Sequence, residues 1–291
     1  MKNLTRISVL TGAALAAALT LSACGGSAPA ADASKEASKA PSVATNTSGV
    51  LNVGIDLTYP PYDMLTDGKP AGFDVDVMNA VAADLGLKPQ YSDTRFAQIV
   101  AGIKADRYDV IASTLYVSSA RSKEVDFVPY FQTGNSIVVG KDAAPLTDAQ
   151  SLCGKKVSVV TATVIAKLMT TTESDKCKTN GKDAITVQEF PTDPEATQAL
   201  LSNQVDAQMT DAAVATTVVS KSNGRVKISS DALIYPVAVG LAVQKGNTEL
   251  QTALTKSLEN LKTAGTYAAI LKQYNLEPVD PAVLAESLKQ G

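Results

Sequence analysis

The chain contains no histidine and no tryptophan. Without histidine, every Ser-His-Asp, Cys-His and His-metal mechanism is excluded at once. Neither GxxxxGK[ST] nor GxGxxG occurs, so a phosphate cradle loses its usual signature. Lysine and arginine are scattered and the net charge is −3. Nothing would release counterions from a phosphate backbone, and nucleic acid is not an expected partner. There are only three cysteines; no metal and no cofactor are expected. What is present is the balance of a soluble globular chain, 45% apolar and 19% charged. A length of 291 residues favours about two domains or lobes. A binder is expected rather than an enzyme.

The first residues stand apart. Lys2 and Arg6 precede an uncharged run from Ile7 to Ala31 that contains VLTGAALAAALTL, a positive n-region followed by an apolar h-region. A transmembrane anchor competes less well, because the segment is mostly Ala and Thr. Leu21-Ser22-Ala23-Cys24-Gly25 resembles a bacterial lipobox, which implies cleavage before Cys24 and lipidation of its thiol. One diacylglyceryl group plus an N-acyl chain gives stable attachment at about 0.8 kcal/mol per buried CH₂. The signal peptide is therefore expected over residues 1–23. Its removal takes two of the 26 basic residues and none of the 29 acidic ones, for a mature charge of −5. Residues 24–49, rich in Ala, Ser and Pro with Val43 as the only large aliphatic residue, read as a lipid-anchored flexible tether. At ~5–6 Å × √n such a tether spans on the order of 25–30 Å. Cys153 and Cys177 remain in an exported chain; they read as one disulfide worth roughly 3 kcal/mol, two buried free thiols being the alternative.

From Val50 onward, short apolar runs alternate with helical periods. Leu51–Ile55 predicts a strand ending at Asp56. Met78, Val81, Ala82 and Leu85 predict a helix stopped by Gly86, and Ile99, Val100 and Ile103 predict another. Tyr108–Ala112 predicts a buried strand, so the order implies a parallel α/β sheet. A similar unit follows: a strand at Val157–Val160, a helix through Ala196, Ala199 and Leu200, and a strand at Val205–Met209. Residues 103–114 and 200–211 place a helix end, a polar turn, an Asp and a strand with a polar tip at matching offsets. Two lobes of one architecture are expected. Ligands of open α/β sheets sit beyond the carboxyl ends of the strands, here at Asp56 and Tyr59, Ser113 and Thr114, Thr161 to Val164, and Asp211.

Those residues resemble the polar-amino-acid solute-binding proteins of bacterial ABC importers over residues 50–276. The landmarks are Val53-Gly54-Ile55-Asp56, Thr58-Tyr59-Pro60-Pro61-Tyr62, Gly72-Phe73-Asp74-Val75-Asp76, Tyr108-Asp109-Val110-Ile111, Arg121 to Phe127, Val205-Asp206-Ala207 with Thr210-Asp211, and Gly240 to Asn247. The resemblance implies an α/β, two-lobed periplasmic-binding-protein-like fold, each lobe a sheet flanked by helices, with crossovers near Ser136–Gly140 and Val237–Leu241. Lobe 1 is then expected at residues 50–138 and 237–277, lobe 2 at 139–236, and a C-terminal tail at 278–291. It also implies a monomeric, extracytoplasmic lipoprotein, on the cell surface or in the periplasm, that hands an amino acid to an ABC permease.

Carried over position by position, Arg121 would clamp the ligand carboxylate with a planar fork; a surface salt bridge to Glu124 is the competing role. Asp211 would pair with the α-ammonium, or serve as a helix N-cap. Thr114 would offer its carbonyl and Ser113 a hydroxyl. Tyr59 and Phe96 would sandwich the ligand side chain, with Tyr62 beside them, and Asp56 would meet a donor on it. An acidic ligand would need a further cation, for which Arg95 is the candidate. Five positions depart from the family pattern: Ala162-Thr163-Val164 stands where Gly-Thr-Thr is common, Tyr116 where Ser or Thr is usual, and Ala97 and Gln98 deviate after the aromatic. Thr163, Val164 and Tyr116 are therefore expected at the site without fixing its specificity. A secreted cyclohexadienyl (prephenate/arogenate) dehydratase on the same fold is the enzymatic alternative, with Asp56 or Tyr116 as proton donor. A ligand-sensing subunit uncoupled from transport is the third.

Overall fold

The computed structural model describes residues 43–290. The expected signal peptide, Cys24 and the tether up to residue 42 lie outside the described residues. The expected tether does not stay free to residue 49. Val43 packs against the core, and the Asn46 backbone N–H donates to Asp109 Oδ1 at 2.6 Å. The same Asp109 carboxylate accepts from the backbone and side-chain N–H of Asn52, at 2.8 and 3.0 Å, and so pins the start of the first strand.

The first unit runs β1 (Val50–Ile55), a small hairpin of β2 (Met64–Thr66) and β3 (Lys69–Ala71), α1 (Phe73–Asp84), β4 (Lys88–Asp93), α2 (Phe96–Lys104) and β5 (Val110–Ile111). In β1, Leu51 to Ile55 are all buried, the continuous apolar run of a parallel strand covered on both faces. It pairs in parallel with β4 on one side and β5 on the other. Close packing depends on missing side chains: a Cβ at Gly54 or Gly102 would fall 2.4 or 2.1 Å from the Tyr108 side chain. The strand expected at Tyr108–Ala112 is shorter as a ladder, although Ala112 still donates to Gly54 O.

Next comes β6 (Val125–Gly140), a strand of 16 residues. The second unit follows: β7 (Lys156–Val160), α3 (Val164–Leu168), α4 (Ser174–Thr179), β8 (Thr186–Phe190), α5 (Asp193–Leu201), β9 (Ala207–Asp211), α6 (Ala212–Lys221) and β10 (Val226–Ile228). The strand expected at Val205–Met209 begins two residues later, because Asp206 caps its neighbour by accepting Lys156 N–H at 2.8 Å. Cys153 and Cys177 form a disulfide with an S–S distance of 2.01 Å, which sets the free-thiol alternative aside. The chain returns through β11 (Ile234–Gln244), α7 (Thr248–Thr263), α8 (Thr266–Tyr274) and α9 (Pro281–Ser287). Leu250, Leu254, Leu258 and Leu261 bury the inner face of α7. The expected tail is fastened by α9, whose buried Ser287 Oγ accepts Ala238 N–H at 2.9 Å.

The sheet order is β4-β1-β5-β11-β6-β9-β7-β8, with β10 also on β6. Two groups of three parallel strands, β4-β1-β5 and β8-β7-β9, therefore flank the antiparallel pair β11–β6. Each group places its first strand in the middle, its second outermost and its third innermost, so the duplication expected from residues 103–114 and 200–211 extends to strand order. The fold is α/β and of the two-lobed periplasmic-binding-protein type. Along β6 the partner changes from β11 to β9 and β10 at Asn135, opposite an irregularity in β11 between Ile234 and Val237. Among the described residues, no helix is long and apolar enough to cross a membrane.

Candidate functional site

The carboxyl ends of both parallel groups face one cavity enclosing about 590 Å³, part of it open to solvent. The first unit contributes Asp56, Thr58 and Tyr59 after β1, Phe96 at the start of α2, and Ser113, Thr114, Tyr116 and Arg121 after β5. The second contributes Val160, Thr163, Val164, Ile165, Asp193, Met209 and Thr210, and Asn135 comes from β6. Nine of the expected site residues are thus brought together. Tyr62 and Asp211 are not on the cavity wall; both are fully buried behind it.

Arg121 has no acid to satisfy it. One guanidinium nitrogen donates to Tyr116 O at 3.0 Å, another to Ala162 O at 3.1 Å, and the group lies 5.3 Å from the centre of the Phe96 ring. The competing salt bridge to Glu124 is not formed, since Glu124 pairs with Lys104 at 3.0 Å. Loss of hydration pulls the Arg121 pKa down to about 10, only partly offset by Tyr116 and Glu124. The Ala162 carbonyl reaches Arg121 because Ala162 adopts φ 61°, the left-handed region that glycine occupies without cost. Thr163 follows as N-cap of α3, accepting Ala166 N–H at 3.0 Å.

Asp56, by contrast, is committed. It accepts from Arg95 at 2.8 Å, Thr58 Oγ1 at 2.7 Å and Phe96 N–H at 2.7 Å. Burial still raises its pKa, the donors and Arg95 pulling the other way. Arg95 also pairs with Asp93 and does not line the cavity. The cation expected to be spare for an acidic ligand is therefore already held by two carboxylates.

Ser113 and Thr114 rest on two buried acids that the sequence reading left unassigned. Ser113 Oγ donates to Asp63 Oδ2 at 2.9 Å and accepts Asp56 N–H at 2.9 Å. Thr114 sits at φ 47°, and Asp74 Oδ2 holds it there by accepting its N–H at 2.8 Å and its hydroxyl at 3.2 Å. Tyr130 donates to the other Asp74 oxygen. Asp63 Oδ1 is buried without a donor, and Asp74 is the acid that neighbours it. Burial and the neighbouring Asp74 push Asp63 well above the ordinary carboxylate range, and burial raises Asp74 to about 6.

Asp211 is enclosed by donors. Tyr62 gives its hydroxyl to Oδ1 at 2.7 Å, Tyr116 to Oδ2 at 2.8 Å, and Oδ1 also caps α6 by accepting Ala213 N–H at 3.0 Å. The helix-cap role is real, and burial keeps the pKa raised despite these bonds. Asp193, absent from the sequence reading, does reach the wall and is 3% exposed. Its Oδ1 accepts Thr210 Oγ1 and Gln208 Nε2, both at 2.8 Å, and burial lifts its pKa to about 6. The only local signal was Thr192-Asp193-Pro194-Glu195, a capping box that announces a helix start and not the direction of Asp193.

Residues 51–277 match the model for bacterial extracellular solute-binding proteins, family 3. The chain is 26% identical to the arginine-binding protein ArgT of Corynebacterium glutamicum, covering 82% of this chain and 79% of the relative. Among solved structures it is similar to an ancestral arginine-binding protein bound to arginine, with 34% identity, a TM-score of 0.71, and coverage of 78% of this chain and 98% of that one. It is also similar to an ancestral amino-acid-binding protein described as a precursor of cyclohexadienyl dehydratase, at 28% identity and a TM-score of 0.66, covering 78% and 95%.

Proposed function

The chain belongs to the bacterial extracellular solute-binding proteins, family 3, and from that premise we propose that it is an extracytoplasmic receptor that captures an amino acid or close analogue and delivers it to an ABC permease. The observation that carries the reading is Arg121: a half-buried guanidinium on the cavity wall that meets two carbonyls and an aromatic ring but no carboxylate. A ligand carboxylate would supply the missing counter-charge through a bidentate pair. Tyr59 and Phe96 would flank the rest of the ligand. The ammonium would face the acidic side of the cavity.

Residues 50–138 and 237–277 would form one lobe and 139–236 the other, hinged where β6 exchanges partners at Asn135 and β11 is irregular at Ile234–Val237. Closure would form the contacts that join them, including Arg121 to Ala162 and the two tyrosines to Asp211. Cleavage before Cys24 and lipidation there would hold the receptor at the membrane; Cys24→Ser should then move it from the membrane fraction to the soluble one. Turnover finds less support, because the candidate proton donors are engaged: Asp56 by Arg95, Tyr116 by Asp211.

A thermal-shift panel of the twenty amino acids, polyamines, opines and prephenate tests the reading, on protein unfolded and refolded to strip carried ligand. A ligand at 100 times its Kd adds about 2.7 kcal/mol, which raises the midpoint by about 5–11 °C in a domain of this size. One or a few amino acids should do this and Arg121→Gln should abolish it. No response to any amino acid, or an undiminished response in Arg121→Gln, would overturn the proposal.

A further inference from the structure

Three carboxylates bear on the cavity, and they differ in how many of their oxygens are already used. Asp56 accepts three donors and is paired with Arg95. Asp211 accepts three, two of them tyrosine hydroxyls, and is sealed behind the wall. Asp193 has both of its strong bonds on Oδ1. Its Oδ2 has one neighbour, Thr197 Oγ1 at 3.4 Å, and that hydroxyl lies closer to Gln208 Oε1, at 2.9 Å. A hydroxyl has one proton to give, and the shorter geometry assigns it to Gln208. Asp193 Oδ2 thus keeps only this long contact to a hydroxyl it shares with Gln208, on a side chain more than nine-tenths buried.

The neighbouring bonds run the same way. Asp211 N–H donates to Tyr59 Oη, Tyr59 then gives its proton to Thr210 Oγ1 at 3.3 Å, and Thr210 gives its own to Asp193 Oδ1. Every donor in this chain points toward Asp193 Oδ1, and none reaches Oδ2. A buried carboxylate oxygen with so weak a donor is costly unless a cation or a stronger donor arrives. Tyr116 makes the same point from the other side: its hydroxyl occupies the Asp211 oxygen that an ammonium would otherwise meet.

We infer that Asp193, and not Asp211, is the residue that receives the cationic group of the ligand, with Asp211 serving to hold Tyr62, Tyr116 and the start of α6. The inference rests on the amino-acid reading of the cavity. It makes Asp193 a specificity-determining residue and requires a ligand that carries a positive nitrogen toward the second strand group as well as a carboxylate toward Arg121.

The test is titration calorimetry of the full chain and of Asp193→Asn with each of the twenty L-amino acids, at pH 8 and pH 5. Asn keeps an oxygen for Thr210 and Gln208 but no charge. For any amino acid that binds the wild type, Asp193→Asn should weaken binding at least tenfold at pH 8 and up to about a hundredfold. The ratio should shrink at pH 5, where Asp193 itself takes up a proton. Asp56, Tyr59 and Arg121 line the same cavity and Asp211 lies behind its wall; all four are common to both proteins, so their titration cancels in the ratio. The unliganded variant should be no less stable than wild type at pH 8, which separates lost recognition from lost folding. Equal affinity in the two proteins, or a ratio independent of pH, overturns the assignment to Asp193. Failure of the wild type to bind any amino acid would instead overturn the function on which it rests.

Discussion

Tyr116→Phe removes one oxygen and leaves the ring, so it isolates the bond to Asp211. That carboxylate is fully buried, and its three donors are Tyr62, Tyr116 and the Ala213 N–H. Hydrogen bonds to a charged group contribute about 1.5–3 kcal/mol each. The variant should therefore lose that much stability at pH 8, a fall in midpoint of about 3–12 °C at the ~2–4 °C per kcal/mol expected for a domain of this size. The pH dependence provides the sharper check. Burial raises the Asp211 pKa in the folded protein, so the native state binds this proton more tightly than the unfolded chain does. Stability from this group is complete at low pH and is lost as pH rises through the folded pKa. The phenol donors counter that loss only once the acid is ionised. Their removal should cost most at pH 8 and least near pH 4. Urea unfolding followed by circular dichroism across that range measures both quantities. Tyr62→Phe should behave alike, and the double variant should lose less than the sum, because both bonds act on one carboxylate. A Tyr116→Phe deficit below about 0.5 kcal/mol at pH 8, or one that does not shrink toward acid, would refute the picture of a buried anion held by phenols.

In the pair beneath Thr114, Asp63→Asn replaces a buried carboxyl, raised by burial and by Asp74, with a neutral amide. The variant should match wild type at pH 4 and exceed it at pH 8, because the raised carboxyls of the wild type lose stability as pH rises through their folded pKa values; lower stability at pH 8 would contradict that sign. Replacing Cys153 and Cys177 together by Ala releases a loop with a sequence separation of 24 and should cost about 3 kcal/mol in urea unfolding, a cost below about 1 kcal/mol contradicting the chain-entropy account.

The α/β class, the duplicated half-chains, α1, α2, α7 and the strand tips were legible because they follow from local period and punctuation. Leu51 to Ile55, or Leu250, Leu254 and Leu258, announce a buried strand or a helix face wherever they occur. Of the nine residues gathered at one cavity, Asp56, Tyr59, Ser113, Thr114, Thr163 and Val164 followed from the rule that sites lie beyond strand ends, and Phe96, Tyr116 and Arg121 from the family resemblance. The expectation that Arg121 clamps a carboxylate came from the family resemblance before any contact was known.

What could not be read was who neutralises whom. Arg95 is one residue before α2, yet whether it faces a ligand or Asp56 depends on how β1 and α2 are packed. Asp211 and Asp193 are both helix-start acids by sequence. Only the tertiary structure sends two tyrosines, from positions 62 and 116, onto the first and leaves an oxygen of the second with one long, shared donor. The same holds for Asp63 and Asp74, 11 residues apart, whose carboxyls are both raised because the fold removes water from them. Hydrophobic period is a property of neighbours along the chain, so the sequence alone determined the elements and their order. Charge compensation in a buried site is a property of neighbours in space, where one hydroxyl more or less decides which acid is free. That choice was made only by the folded structure.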